Sequence, residues 1–173
     1  MRIYEGTPRQ NYEEVLRSVG AVLDQRGVRE ILFTELEDGL MFQALVLSQN
    51  SSGGWSDSQQ LVKEPFIFLD DDVSRFMDEG VRRRGGSGPP PGVNGYYERA
   101  LRVLGRYVDQ QKPRDVFFLE QDGAFVMRLL MATHAGAKHV LAEFTRDEIE
   151  TLVQQGPAYR GRDARAASRD QRR

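Results

Sequence analysis

Carboxylates near the ends of two predicted strands are the residues of this chain best suited to acid-base chemistry. Glu35 and Glu120 close two similar apolar segments, and Asp38 and Asp122 follow them closely. A pair of carboxylates can act as general acid and general base when a nucleophile or a basic group lies within reach. No such group occurs at a recognisable spacing. We therefore predict solvated hairpin ends here and no catalytic residue.

Two other groups carry side chains that bind metals. Asp70, Asp71 and Asp72 are consecutive, and carboxylate oxygens are ligands of Ca²⁺ and Mg²⁺. Three acids at the start of a predicted helix are more simply caps that also offset the helix dipole. His134 and His139 flank a predicted turn and lack further ligands at a usual spacing. Because the chain also has no cysteine, we predict no metal, no cofactor and no disulfide.

Arginine-rich segments are the feature that suggests nucleic acid as a partner. The stretch from Arg160 to Arg173 holds six arginines and two aspartates, a net charge of +4 in a chain of net charge −2. A basic segment of this kind binds phosphates without sequence preference. Its alternative role is that of a solubilising terminus. The possible nucleic-acid contacts are Arg82, Arg83, Arg84, Arg160, Arg162, Arg165, Arg169, Arg172 and Arg173.

An internal repeat organises these residues. Between Tyr12 and Leu36 and the positions 85 residues later, 10 of 25 residues are identical, where roughly one or two would coincide by chance. After a predicted slip of one residue, Asp38-Gly39 aligns with Asp122-Gly123. The extra length of the first copy falls between residues 48 and 58, a polar stretch that contains Trp55. The pattern indicates a tandem duplication.

Each copy has the pattern of a helix, three strands and a helix. Apolar residues at helical spacing from Tyr12 and from Tyr97 predict the first helices, which end near Gly27 and before Pro113. Two apolar segments joined by Asp-Gly predict a hairpin with a primed turn in each copy. A third strand follows, in which Pro65 is expected at a sheet edge or at a bulge. The second strands, at 40–47 and 124–132, are nearly continuous in apolar residues, which predicts that they are central and covered on both faces.

The repeats set the predicted domain boundaries and assembly. We expect a first αβββα repeat at 9–86, a Gly/Pro linker at 87–94, a second repeat at 95–161 and a basic disordered tail at 162–173. The irregular segment that leads into the linker is expected to begin at Arg82. Thr145 and Glu148 form a predicted capping box in the second repeat. The predicted fold is α+β, an intramolecular pseudo-dimer with antiparallel sheets, in which the sheets join or the helices cross.

Matched glycines suggest where the copies pack. Gly20 and Gly105 lie within the predicted first helices, where glycine costs about 1 kcal/mol relative to alanine. Close approach of the helix to the sheet or to its twin would explain this cost, and a backbone surface left open for a ligand or a partner helix is the alternative. The matched positions favour packing between the copies, with Tyr12 and Tyr97 as further packing residues.

Three functions remain open from the sequence. The first is a non-enzymatic protein-interaction module, an adaptor, regulator or assembly subunit, with an unidentified protein partner and a possible homo-oligomer. The second is a nucleic-acid-binding accessory protein that uses the arginine tail. The third is a small-ligand binder or enzyme with a site between the repeats, formed by Arg29 with Arg114 or by Glu35 with Glu120. No apolar run of membrane-spanning length and no signal peptide occur, so we expect a cytoplasmic protein without membrane contact.

Overall fold

The computed structural model describes residues 11–49, 59–85 and 95–155, which form four helices and six strands. In chain order the elements are α1 (Tyr12–Gln25), β1 (Arg29–Glu35), β2 (Gly39–Gln49), β3 (Gln59–Leu69), α2 (Asp70–Gly85), α3 (Tyr96–Gln111), β4 (Asp115–Gln121), β5 (Ala124–Thr133), β6 (Gly136–Phe144) and α4 (Arg146–Gln155). The order of helix, three strands and helix occurs twice, as the apolar spacing predicts. The fold is α+β.

The six strands form one antiparallel sheet in the order β3-β2-β1-β4-β5-β6. At its centre β1 pairs with β4, and Phe33 lies opposite Phe118 with the two rings stacked 4.6 Å apart. Pro65 lies in the outer strand β3, opposite Gln43 of β2, so it removes no hydrogen bond from the interior of the sheet. Of the two positions predicted for Pro65, an edge or a bulge, the structure shows the edge.

Local signals fix the ends of the helices. The Asn11 side chain caps α1 by accepting the backbone N–H of Glu14 at 2.9 Å. The α4 capping box is confirmed, because Glu148 N–H donates to Thr145 Oγ1 at 3.3 Å and Thr145 N–H donates to Glu148 Oε2 at 2.8 Å. Gly27, with φ of 62°, follows the end of α1 in the left-handed region, as expected of a glycine after a helix.

The C-terminal part of α2 corrects the predicted start of the linker. Arg82 and Arg83 continue the helix, which ends at Gly85. Arginine is a good helix former, and cations in the last turn offset the negative end of the helix dipole. The arginine run therefore belongs to α2. The remaining linker, 87–94, the loop with Trp55 and the tail at 162–173 lie outside the described residues.

The turn of the second hairpin has the predicted primed geometry. Asp122 and Gly123 lie at its centre with φ values of 53° and 78°. Both values are positive, as a type I′ turn requires. Asp-Gly is suited to this position because glycine accepts positive φ without cost and aspartate tolerates it.

The first hairpin shows that the predicted one-residue slip is wrong. Glu35 faces Leu40 across β1 and β2, and Glu120 faces Phe125 across β4 and β5, so the two hairpins have equal length. Gly39 is the first residue of β2 and lies outside the centre of the turn. A Cβ at Gly39 would press against the backbone of β3. The same Asp-Gly dipeptide thus provides a turn in one hairpin and a close approach of strands in the other.

All four helices belong to a core on one face of the sheet. Phe33, Phe42, Phe118 and Met127 point into this core and are fully buried. The side chains that alternate with them point to the opposite face, which we call the open face, and are not part of the core. The open face consists of Leu32, Thr34, Met41, Gln43, Leu45, Lys63, Pro65, Ile67, Leu69, Asp115, Phe117, Leu119, Val126, Arg128, Leu130, His139, Leu141 and Glu143.

The open face corrects the prediction that β2 and β5 are covered on both faces. Both strands are internal to the sheet, as expected. Gln43 of β2 and Arg128 of β5 are nevertheless exposed. The apolar side chains on this side of the two strands are covered by none of the described helices.

Helices α1 and α3 cross at the two matched glycines. A Cβ at Gly20 would lie 2.6 Å from the carbonyl carbon of Tyr97 and 2.8 Å from the nitrogen of Glu98. A Cβ at Gly105 would lie 2.5 Å from the carbonyl carbon of Tyr12. Each glycine thus lies directly on the backbone at the start of the other helix. Any larger residue would force the helices apart.

Candidate protein-interaction face

Strand pairing arranges the open face in rows that cross all six strands. From β3 to β6, the first row reads Ile67, Met41, Thr34, Phe117, Arg128 and Leu141. The second row reads Pro65, Gln43, Leu32, Leu119, Val126 and Glu143. We call these two rows the central rows; they lie about 7 Å apart, because side chains on one face repeat every two residues.

The central rows are mostly apolar, and the apolar residues at the two ends of the first row are exposed. Ile67 is 57% exposed and Leu141 is 54% exposed. Arg128 keeps its charge at the surface while its guanidinium lies 5.3 Å from the centre of the Phe117 ring. Single exposed apolar residues are common on proteins, but a continuous apolar band is not.

The carboxylates considered for catalysis belong to the helix side of the sheet and do not form a pair. Glu35 accepts the hydroxyl of Tyr12 at 2.5 Å, and Glu120 accepts the hydroxyl of Tyr97 at 2.6 Å. Glu120 also accepts the N–H of Ile31 at 3.4 Å, which places it about 13 Å along β1 from Glu35. Burial is the main cause that raises the pKa values of Glu120 and Tyr97. These pairs connect the first helices to the sheet.

Two aspartates cap the opposite helix in a reciprocal manner. Asp109 accepts the N–H groups of the first two residues of α1, at 2.9 Å each. Asp24 accepts the N–H groups of the second and third residues of α3, at 3.0 and 2.9 Å. Burial raises the pKa of both aspartates, although these hydrogen bonds act in the opposite direction. The carboxylates therefore serve the crossing of α1 and α3.

The residues proposed for a site between the repeats do not converge. Arg29 opens β1, and Arg114 directly precedes β4; because β1 and β4 are antiparallel, the two arginines lie at opposite ends of the strand pair. A cleft of about 260 Å³ lies between α3 and α4, within the second half of the chain, and is lined by Tyr96, Arg99 and Glu150 among others. Its volume is below the range of about 300–1,000 Å³ typical of ligand pockets.

The metal-ligand candidates are dispersed. Asp72 accepts the N–H of Leu69 at 3.3 Å and pairs with Arg75 at 2.7 Å, as a residue at a helix start does. His134 and His139 are both exposed, one in the turn after β5 and one on β6. Within residues 11–49, 59–85 and 95–155, no group of three or more such side chains could hold a metal ion.

The arginines proposed for nucleic-acid binding are described only in part. Arg82 is exposed and Arg83 is half-buried near the end of α2. The other candidates from Arg160 onward lie outside the described residues, so nucleic-acid binding stays a prediction. None of the helices in the described part of the chain is long and apolar enough to cross a membrane.

The open face was missed in the sequence, although a signal for it exists. In β2 and β5 apolar residues occupy both alternating sets of positions, which requires apolar side chains on both faces. The capping role of Asp24 and Asp109 was also missed, although the two residues are identical partners in the repeat. Comparison with protein-family models, with curated proteins and with solved structures finds no match to this chain.

Proposed function

We propose that the protein is a non-enzymatic protein-interaction module, an adaptor, regulator or assembly subunit, which binds a protein through the open face. The observation that carries this proposal is the apolar character of the central rows, which cross six strands outside the core. Contiguous apolar surface of this kind is typical of protein-protein interaction sites. The proposal includes the origin of the fold, a tandem duplication that forms a fused pseudo-dimer.

Reciprocal contacts between the two halves support the pseudo-dimer. Gly20 lies against the start of α3, and Gly105 lies against the start of α1. Asp24 and Asp109 cap the helices in the same reciprocal way. Such exchange of equivalent contacts is the property of a two-fold interface between identical subunits. A duplicated gene that fused two subunits of a dimer would preserve these contacts.

The dimensions of the open face suit a protein partner. Six strands spaced about 4.8 Å apart span about 24 Å, and seven residues of a strand extend about 23 Å. The resulting area of the whole face, polar residues included, is on the order of 550 Å². The apolar part of it is concentrated in the central rows. A small molecule would bind in a concave pocket instead. A broad sheet surface favours another protein.

Site-directed photo-crosslinking tests this proposal. A benzoylphenylalanine replaces Ile67 on the open face in the full-length protein, and a control protein carries it in place of Val81 on α2. The two positions are well matched, since their side chains are 57% and 62% exposed. Both proteins are irradiated in extract of the source cells and also after purification.

We expect a discrete protein adduct from the Ile67 position and only diffuse background from the Val81 position. The adduct should disappear when Phe117 at the centre of the open face is changed to glutamate. Equal labelling from both positions would contradict the proposal, because exposure alone would then explain the adducts.

A further inference from the structure

We propose that the partner bound by the open face is a second copy of this chain, which forms a symmetric dimer with the two sheets face to face. The inference rests on the proposed function and names its partner. In a symmetric dimer the same surface serves both subunits, so every contact from one residue to another occurs twice. The open face must therefore be complementary to itself in shape and charge.

The charges of the central rows meet this condition. These rows contain two formal charges, Arg128 on β5 and Glu143 on β6, which are opposite in sign. They lie on adjacent strands and in adjacent rows, since Arg128 faces Leu141 while Glu143 faces Val126. Both side chains are exposed. A second copy can thus supply the opposite charge to each of them.

One orientation of the two-fold axis satisfies both charges. If the axis runs across the strands between the central rows, the first row of one copy lies over the second row of the other. Arg128 of each copy is then one strand away from Glu143 of its partner, across sheets about 10 Å apart. Both side chains are long enough to meet over this distance. The remaining central contacts are mostly apolar, with Phe117 over Leu119.

The other aligned orientation is unfavourable. If the axis runs along the strands, β5 of one copy lies over β2 of the other, and β6 lies over β3. Arg128 then faces Met41, and Glu143 faces Pro65. Each dimer would cover four charges without an opposite charge from the other copy, which is less favourable than the arrangement above. The charge positions therefore select the axis across the strands.

The area is sufficient for a reversible dimer. Two open faces of about 550 Å² bury about 1,100 Å² in total, close to the lower limit of specific interfaces and above that of most crystal-packing contacts. Two sheets with the same twist pack with their strands within about 30° of each other. We therefore expect dimerisation that depends on protein concentration.

Sedimentation equilibrium of the full-length protein with a charge-exchange series tests the inference. The variants are Arg128→Glu, Glu143→Arg and the double exchange, and Arg82→Glu on exposed helix surface is the control. Each single reversal places like charges together and should weaken dimerisation about tenfold or more. The double exchange should restore wild-type dimerisation within about threefold, and the control should leave it unchanged. Circular dichroism confirms that each variant is folded.

Three results would overturn the inference: a wild-type protein that stays monomeric at its highest soluble concentration, a dimer that tolerates both single reversals, or a double exchange that is no better than the single ones. These results are separate from the test of the proposed function. A monomeric protein whose Ile67 position still crosslinks to another protein in extract would leave the interaction face in place and remove only the second copy. A protein that is monomeric and forms no specific adduct would contradict both.

Discussion

Substitution of Gly20 or Gly105 by alanine should destabilise the protein, although alanine is the better helix former. In an exposed helix the change would stabilise by about 1 kcal/mol. Here the new Cβ of Gly20 would lie 2.6 Å from the carbonyl carbon of Tyr97, against an ordinary contact of about 3.5–4.0 Å between carbon atoms. The opposing atoms belong to the backbone and cannot rotate away. Helices α1 and α3 must therefore separate by about 1 Å.

The expected magnitude follows from three contributions. Overpacking costs about 1–3 kcal/mol, and a clash with backbone belongs at the upper end. A separation of about 1 Å also stretches the hydrogen bonds from α3 to Asp24, now 3.0 and 2.9 Å, beyond the usual range, with a loss of about 1 kcal/mol. The gain in helix propensity offsets about 1 kcal/mol. The net loss for Gly20→Ala is about 3 kcal/mol, which lowers the melting temperature by about 6–12 °C.

Urea unfolding of Gly20→Ala, Gly105→Ala and the double variant measures this effect. The double variant should lose less than the sum of the single losses, because both changes separate the same pair of helices. Gly27→Ala is the control: a Cβ there meets nothing within 4 Å, so the change should cost only the penalty of positive φ, about 1–2 kcal/mol. If Gly20→Ala and Gly105→Ala are each as stable as the wild type or more stable, the close approach of α1 and α3 is refuted.

Three further outcomes are expected from the same geometry. Because burial raises the pKa of Asp24, the native state binds its proton more tightly than the unfolded state, so this carboxyl favours folding most below its unfolded pKa. Urea unfolding measures the stability of the wild type relative to Asp24→Asn, and this difference should fall as the pH rises from about 3.5 to 7. A difference in stability that increases with pH would show that the capping hydrogen bonds outweigh burial. Tyr97→Phe removes the hydroxyl that donates to Glu120 at 2.6 Å and should lower the free energy of unfolding by about 1–3 kcal/mol at neutral pH. The same loss in acid, where Glu120 is neutral, would contradict the pairing. Gly39→Ala should lower the melting temperature because its Cβ would crowd the backbone of β3, and an unchanged melting temperature would refute this contact. Gly123→Ala should lower it because alanine is strained at positive φ.

Much of the fold follows from local sequence signals. The stripe that starts at Tyr12, the box of Thr145 and Glu148, and the edge proline Pro65 each act within a few residues, so their consequences can be predicted without knowledge of the fold. The reciprocal caps differ in this respect. Asp109 accepts an N–H that is 97 residues away in sequence, a contact that no local pattern contains.

The candidate site was harder to predict because hydrophobicity does not reveal what covers it. Apolar residues at Met41 and Leu45 have the same pattern whether a helix, a second sheet or a partner protein lies over them. The Asp-Gly pairs show a similar limit. Gly123 provides a turn and Gly39 provides space between strands, and this difference depends on the position of β3.

Covalent footprinting tests the central claim most directly, since it measures whether the open face is occupied. The full-length protein is labelled with a carbene reagent in extract of the source cells and as a dilute purified sample, and labelling is compared at Ile67, Leu141 and Val81, which are 57%, 54% and 62% exposed. We predict that Ile67 and Leu141 are protected in extract relative to the dilute sample while Val81 is labelled equally in both. Equal labelling of all three residues under both conditions would contradict the claim that this face binds a protein.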